Sequence, residues 1–505
     1  MQINPQQNYA DFVKYDIVEY TKGTVLNIGS GPFRLYNHFI NIDDMEAWDG
    51  NMWKPDLIRD AADLAIFGTK SIDAVFSSYL LQDIKDPEKV LKEWWRVIKD
   101  DGYLVLYLPL KTIEFNENTE EGNGCNPNDI MVKMMSVFPH FDCVVNENRT
   151  KDDEYGFLQV FQKKLNGGQI CSCYEEKTEK TCCIIRYGAT GDMLMSSSIF
   201  PGLKEQGYHL TLITNEPGMN IVKEDPHIDK IFAQSKFQVP NNELGPYWET
   251  VGKKYDKFIN LSSSVEGVWL PAPGNVRHRW TQKLRHRYLN ENYLEFTHDF
   301  AGVPYSPQPM FYPTVKEKRW AEKQRSKIKG LVVLWALAGS AIHKVWPYMD
   351  EAIEVLLGLD PTLHIVMVGA EIEQIAEVGW ENESRVILKS GRWNVRQSLS
   401  FAKLVDIVVG PETGVLNAVS HMAVPKIVFL SHSSENNLTR DWDNCIPLKP
   451  VNCDCYPCHK MIYGFDHCVR DDKTGTALCQ SRIYVNDFIK AFNKFFDKIT
   501  QRRAA

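Results

Sequence analysis

No run of apolar residues in this sequence approaches the roughly 18 that a membrane-spanning helix requires. The first residues, MQINPQQNYADF, lack the charged-then-apolar pattern of a secretory leader. A cytoplasmic protein without a membrane span is therefore expected. An excess of positive charge is also missing. The formal charge of −8 argues against a general nucleic-acid binder, although a local patch can override a mean. Cysteine, by contrast, is not scarce. In a reducing compartment the twelve cysteines read as thiols or metal ligands rather than disulfides, and five of them fall between Cys453 and Cys479. The length of 505 residues is enough for about two to four domains.

Residues 1–165 alternate strand-like and helix-like segments. Thr24 to Ile28, His38 to Ile42, Ile72 to Phe76 and Gly102 to Leu108 are apolar runs, each closed by turn residues. They end at Gly29-Ser30-Gly31, Asp43-Asp44, Ser77-Ser78 and Pro109. In DPEKVLKEWWRVI, Asp86 suits an N-cap and Pro87 the first helical position. Val90, Leu91, Trp94, Val97 and Ile98 then share one face. Such alternation predicts a parallel, doubly wound sheet. Phe141 to Val145 and Phe157 to Phe161 suit an antiparallel hairpin at its edge.

This stretch resembles a class I S-adenosylmethionine-dependent methyltransferase. VLNIGSGP, INIDD, RDAADL, SIDAVFSSYLLQDIKDP and LKEWWRVIKDDGYLVLYLP occur in the family order. The resemblance implies S-adenosylmethionine as cofactor. Gly29 and Gly31 would let the backbone approach its methionine end, and Asp43 would accept its ribose hydroxyls. Asp60 would receive the adenine amino group, and Ser77 would lie at the strand end beside them. Two positions depart from the pattern: Asn27 stands where an acid opens the first loop, and Pro32-Phe33 where a third glycine is common. No Asn-Pro-Pro-Tyr-like motif for methylating base amino groups is present, so a sugar hydroxyl or small molecule is the expected methyl acceptor. A degenerate domain that only binds or scaffolds is the alternative.

Residues 166–180 are Gly-rich and then charged, as a linker would be. Within them, Cys171 and Cys173 are either plain thiols or half of a metal site. A fresh strand–turn–helix–strand unit begins near residue 181: Cys182 to Ile185, the turn Arg186 to Asp192, Met193 to Gln206, then His209 to Thr214. Asp256 to Leu261 adds a strand. Residues 277–287 gather five Arg or Lys and two His, either a solvated face or an electropositive arm for an anionic acceptor, glycan or nucleic acid. Arg319 to Lys329 reads as a charged helical bridge, Gly330 to Leu337 as a buried strand, and His364 to Val368 as another.

The stretch VDIVVGPETGVLNAVSHMAVPKIVFL, residues 405–430, reads as strand, polar turn, helix and strand. Ligands sit outside the carboxyl ends of such strands, where Glu412, Thr413 and Gly414 fall and a helix N-terminus can receive a phosphate. This stretch resembles the nucleotide-diphosphate segment D-T-G-x-x-H-x-x-x-A-x-x-x-P of the ADP-heptose:lipopolysaccharide heptosyltransferase family. Glu412 takes the Asp place and Asn417 the His place. Residues 181–485 carry the likeness. Arg186 and Gly191-Asp192 match R-x-x-x-x-G-D, and Gly339-Ser340 with Lys344 and Trp346-Pro347 match G-S/T…K-x-W-P. The resemblance implies a GT-B pair of Rossmann-like domains and an inverting transfer from a nucleotide-diphospho-sugar. Asp192 would be the base, although a helix cap is the other reading of that residue. Lys344 and Ser340 would hold the donor phosphates, and the turn at Gly369 would lie near the nucleoside.

Cys453, Cys455, Cys458, Cys468 and Cys479 suit a tetrahedral thiolate site such as structural zinc; free thiols or local disulfides are the alternatives. The expected architecture is α/β: a methyltransferase-like domain over 1–165, a linker over 166–180, an acceptor domain over 181–320 and a donor domain over 321–505. The last holds the cysteine cluster and a C-terminal helix, Val485 to Phe496, that crosses back to the first half. The function expected is sugar transfer to a glycan or other acceptor, with methylation of the same product. A methyltransferase carrying a non-catalytic glycan-binding unit, and a nucleotide-sugar-binding scaffold, are the alternatives.

Overall fold

The computed structural model describes residues 8–45, 54–111, 124–150, 155–174, 179–236, 238–264, 271, 273–339, 341–462 and 468–504. The chain divides into two compact units, Met1–Thr178 with Gln234–Tyr255, and Glu179–Ala233 with Asp256–Ala505.

The first unit is built on one sheet. Its strands are β1 (Val25–Ile28), β2 (Phe39–Asp43), β3 (Leu57–Ile58), β4 (Ile72–Ser78), β5 (Ile98–Pro109), β6 (Phe141–Arg149), β7 (Gly156–Lys163) and β8 (Gln169–Ile170). They lie in the order β3-β2-β1-β4-β5-β7-β6-β8. β1 to β5 are parallel, and β7 runs antiparallel between β5 and β6. The order turns back between β1 and β4, the switch point where an open α/β sheet receives its ligand. Every residue of β1 is buried, as a strand covered on both faces requires. The helix Pro87–Val97 forms as expected: the Asp86 carboxylate accepts the Lys89 N–H at 3.2 Å, and Trp94 donates to the Ala61 carbonyl at 2.8 Å.

Part of the expected linker is structured. β8 pairs with β6, and Asp142 accepts both the N–H and the hydroxyl of Ser172 at 3.0 Å. The segment 234–255, placed by sequence in the acceptor domain, packs with the first unit. Glu243 pairs with Lys14 at 2.6 Å, Lys254 with Asp16 at 2.5 Å, and Gln238 donates to the Val18 carbonyl at 2.6 Å. Val239, Tyr247 and Val251 are buried there.

The second unit holds two sheets. The smaller consists of β9 (Lys180–Ile185), β10 (Tyr208–Asn215), β11 (Lys230–Gln234) and β12 (Lys257–Asn260), in the order β11-β10-β9-β12. The larger consists of β13 (Val332–Ala336), β14 (His364–Val368), β15 (Val386–Leu388), β16 (Ile407–Pro411), β17 (Lys426–Phe429) and β18 (Cys445–Leu448). Its order is β15-β14-β13-β16-β17-β18, parallel throughout, with a switch point between β13 and β16. The architecture is thus α/β with a Rossmann-like sheet followed by a pair of such sheets. Helix boundaries differ from expectation where local chemistry intervenes. The helix after β9 is split into Thr190–Ser197 and Phe200–Glu205, with Pro201 opening the second piece. The C-terminal helix Val485–Ala504 packs Phe488 and Phe492 against the donor-half core around Trp335 and Phe429. Its apolar face packs on that core. No helix among the described residues is long and apolar enough to cross a membrane.

Candidate functional sites

At the switch point of the first sheet, Gly29 and Gly31 both take positive φ, +72° and +56°. A Cβ on Gly29 would lie 2.7 Å from Leu80 Cδ2, so only glycine fits. Asp43 closes β2, buried, and accepts the Gly31 N–H at 2.8 Å and the Met45 N–H at 3.2 Å. The loop is thereby tied to the end of β2. Asp60 is exposed and accepts the Ala62 N–H at 2.7 Å. The Ser77 hydroxyl is turned into the sheet and donates to the Ile28 carbonyl at 3.0 Å, so it pins β4 to β1. Beyond it, Ser78 Oγ and Gln82 Oε1 are buried without a partner among the described residues. Sequence reading missed both as site residues. Orphaned polar atoms beside a glycine cradle fit a cofactor with hydroxyls and an amino-acid end.

Asn27, in place of an acid, belongs to a ladder that is buried at Asn27 and Asn41 and ends at the exposed Asp56. Its amide donates to Asn41 Oδ1 at 2.9 Å, and the Asn41 amide donates to Asp56 Oδ2 at 3.1 Å. Arg34 holds the other Asp56 oxygen at 2.5 Å. Burial pushes the Asp56 carboxyl up, but the Asn41 and Arg34 donors outweigh it and hold the group below its ordinary range.

The second unit brings its expected donor and base residues to one edge. Gly339 follows β13 with φ +70°, and a Cβ there would lie 2.8 Å from Thr413 Cγ2. Lys344 Nζ donates to the Glu412 carbonyl at 2.7 Å. The ammonium lies deep, and desolvation lowers its pKa, partly offset by the charges of Glu412 and Asp192. Thr413 Oγ1 is buried without a partner among the described residues. Ser340 lies outside the described residues. The helix that follows is short, Gly414–Ala418, because Val419 leaves helical φ and the Ser420 hydroxyl donates to the Asn417 carbonyl.

Glu412 faces inward. Its Oε1 accepts the Ser431 and Ser433 N–H groups at 2.7 and 3.3 Å, and Oε2 lies 3.1 Å from His432 Nδ1. Burial raises its pKa, with Lys344 opposing. His343 Nε2 lies 3.3 Å from His432 Nδ1. Burial pushes His343 down to about 3 and His432 well below the ordinary range, so both rings are neutral. Neither histidine was singled out by sequence as a site residue, and neither was Glu373. The Glu373 carboxylate accepts the Ala338 and Gly339 N–H groups at 2.5 and 2.7 Å and the Ala370 N–H at 2.5 Å. It stitches the turn after β13 to the turn after β14. The expected nucleoside residue Gly369 leaves room for it: a Cβ there would lie 2.6 Å from Glu373 Oε2. An N3 glutamate after the strand end was the available sequence signal.

Asp192 sits at the third position of its helix, and Oδ2 accepts the Ala189 N–H at 2.9 Å. Oδ1 is held by Arg186 NH2 at 3.0 Å, and the buried guanidinium also donates to the Leu261 carbonyl at 3.2 Å. The cap reading is thus realised, and the carboxylate is oriented by it. Gly414 packs on this turn: a Cβ on it would lie 2.5 Å from Thr190 Cγ2 and 3.1 Å from Gly191 N. Asn417 approaches too, with Nδ2 2.8 Å from the Cβ position of Gly191.

Among the described residues no group of three or more His, Cys, Asp or Glu is arranged to hold a metal ion. Cys453 and Cys455 have sulfurs 3.5 Å apart, a thiol pair with one shared proton contact. Burial pushes Cys458 up to about 12 and Cys468 up to about 11, as neutral thiols. Cys479 is buried and raised further by desolvation. Among the described residues, the expected structural zinc site is therefore not assembled by Cys453, Cys455, Cys458, Cys468 and Cys479.

Comparison with known proteins follows the same division. Residues 43–106 match the family described as methyltransferase domain. No curated protein matches the chain. Among solved structures, ADP-heptose lipopolysaccharide heptosyltransferase II of E. coli is 13% identical, with TM-score 0.46, over 64% of this chain and 99% of its own. A glycosyl transferase family 9 protein of Veillonella parvula is 13% identical, with TM-score 0.47, over 63% and 97%. A SAM-dependent methyltransferase of Aquifex aeolicus is 16% identical, with TM-score 0.22, over 31% and 99%. The family match thus falls within the stretch whose sequence resembles a methyltransferase.

Proposed function

We propose that the second unit transfers a sugar from a nucleotide-diphospho-sugar to a hydroxyl of a glycan or other anionic acceptor, with inversion. One observation carries this reading: the glycine edge at Thr413-Gly414 packs on the turn that bears Asp192. A candidate base and a candidate diphosphate site therefore belong to one locus. Asp192 takes the proton of the acceptor hydroxyl, and that oxygen bonds the anomeric carbon as the bond to the diphosphate breaks. The Lys344 ammonium and the Thr413 and Gly414 amides meet the charge on the departing diphosphate. Glu412, Asn417 and Gly369 shape the donor pocket around them. Arg186 keeps the Asp192 carboxylate aimed. The first unit binds S-adenosylmethionine through Gly29, Gly31, Asp43 and Asp60, and methylates the same product.

Asp192→Asn is the test, because an asparagine oxygen still accepts the Ala189 N–H. Turnover should fall by about 10²–10⁴ while the melting temperature stays near that of the parent. Unchanged turnover would remove Asp192 as the base. A thermal-shift panel of nucleotide diphosphates and S-adenosylhomocysteine tests the two binding assignments separately, since a ligand of the native state raises its stability by mass action. A shift with neither class contradicts both.

A further inference from the structure

Residues 267–290 contain no Asp or Glu, although acids outnumber Lys and Arg by 65 to 57 along the chain. Within this stretch lie a short 3-10 turn, Val276–Arg279, and a helix, Gln282–Leu289. Arg279, Lys283 and Arg287 are exposed. So are three apolar side chains beside them, Val276 at 71%, Leu284 at 41% and Tyr288 at 53%. Lys283, Leu284, Arg287 and Tyr288 stand at helical neighbour spacings and share one face. Trp280 meets Tyr288 edge-on, ring centres 6.0 Å apart, which joins the turn to that face.

The face is fixed outward from below. Arg285 is buried; its Nε donates to the Cys458 carbonyl at 2.6 Å and its guanidinium to the Trp280 carbonyl. Gln282 donates to the Tyr456 carbonyl at 3.2 Å, and Leu289 is buried. The helix therefore cannot roll its apolar side chains inward without breaking these bonds.

We propose that this face docks the protein on an anionic phospholipid surface. Cations alone suit any polyanion. Exposed Val276 and Leu284 do not, since aliphatic groups gain nothing from phosphates in water but are dehydrated in the headgroup boundary of a bilayer. Tyr288 and Trp280 are amphipathic rings of the kind that settle at that level. The proposal is independent of the sugar-transfer reading.

The full chain is sedimented with vesicles of phosphatidylcholine alone and of phosphatidylcholine mixed equally with phosphatidylglycerol. Binding is expected only to the second, and to weaken as salt rises. Arg279→Gln, Lys283→Gln and Arg287→Gln together should lower vesicle affinity about 100-fold, at roughly fivefold per charge. Val276→Ser with Leu284→Ser keeps every charge and should lower affinity about tenfold or more. Both variants change exposed side chains, and an unaltered melting temperature confirms that they fold. Absence of binding, equal binding to both vesicles, or full binding by the serine variant overturns the proposal. So does tighter binding of a single-stranded oligonucleotide than of anionic vesicles, which would identify a nucleic-acid surface.

Discussion

Asn27 shows how one residue can be mistaken for a lost function. An acid is expected at that place, and its absence reads as decay. In the structure the amide instead donates to Asn41, whose own amide is committed to Asp56. An aspartate at 27 would set a carboxylate against Asn41 Oδ1 with no proton between them. Asn27→Asp should therefore destabilise the protein by about 1–3 kcal/mol, read by urea unfolding, and should not raise affinity for S-adenosylhomocysteine. Lys344 is a second case. A buried ammonium whose pKa is lowered by desolvation is held in place by charges around it. Diphosphate binding adds two more negative groups. Lys344→Met should weaken nucleotide-diphosphate binding at least tenfold, about 1.4 kcal/mol, by calorimetry, and equal affinity would place the diphosphate elsewhere.

At the scale of elements, Arg396 joins pieces distant in sequence. It is buried, donates to the Asn220, Ile221 and Tyr312 carbonyls at 2.8–2.9 Å, and forms a two-bond pair with Glu317 at 2.7 and 2.8 Å. The Arg396 hydrogen bond, with help from Thr314, holds the Glu317 carboxyl down at about 2 against an ordinary 4.5. The carboxylate form is thus favoured by folding. Its contribution is complete above about pH 4.5 and is lost as pH falls toward about 2. Glu317→Gln should remove a stability slope worth on the order of 2–3 kcal/mol across that window, seen in acid unfolding. Arg396→Met should cost about 3–5 kcal/mol by stranding Glu317, and Arg396→Met with Glu317→Leu should recover part of it.

The same scale shows what was legible in advance. Strands such as Val332–Ala336 and Val25–Ile28 announce themselves because both faces are covered and nearly every residue is apolar. The glycine turns and Asp192 were readable because their chemistry is local. β18 was not, since Cys445-Ile446-Pro447-Leu448 is an edge strand defined by pairing with β17 and it carries a proline. Glu373 and His432 were missed for a related reason. The N3 place of Glu373 was a local signal, but its bond to Gly339, 34 residues away, and that of His432 to His343, 89 residues away, lie beyond any local pattern. The cysteine spacing did bring thiols together, since Cys458, Cys468 and Cys479 lie close enough to influence one another, but no metal-holding geometry is found among the described residues.

For the whole molecule, the informative segment is 234–255, which leaves the second unit after β11, packs with the first, and returns at β12. Its attachment combines buried Val239, Tyr247 and Val251 with the Glu243–Lys14 pair. It also uses Asp16, whose carboxylate is buried and shared by Lys254 and Arg149 at 2.5 and 2.6 Å. Cutting the chain once near residue 176 therefore should not free the first unit, because this segment remains docked in it. A protease site inserted there, followed by cleavage and size-exclusion chromatography, should give fragments that elute together. Lys254→Glu with Tyr247→Ala places like charge on Asp16 and removes a buried ring, a change worth about 3–5 kcal/mol for the ring alone. That variant should separate into two peaks after cleavage. Separation of the parent fragments would mean that the docking is too weak to hold the units, and that residues 175–178 alone join them.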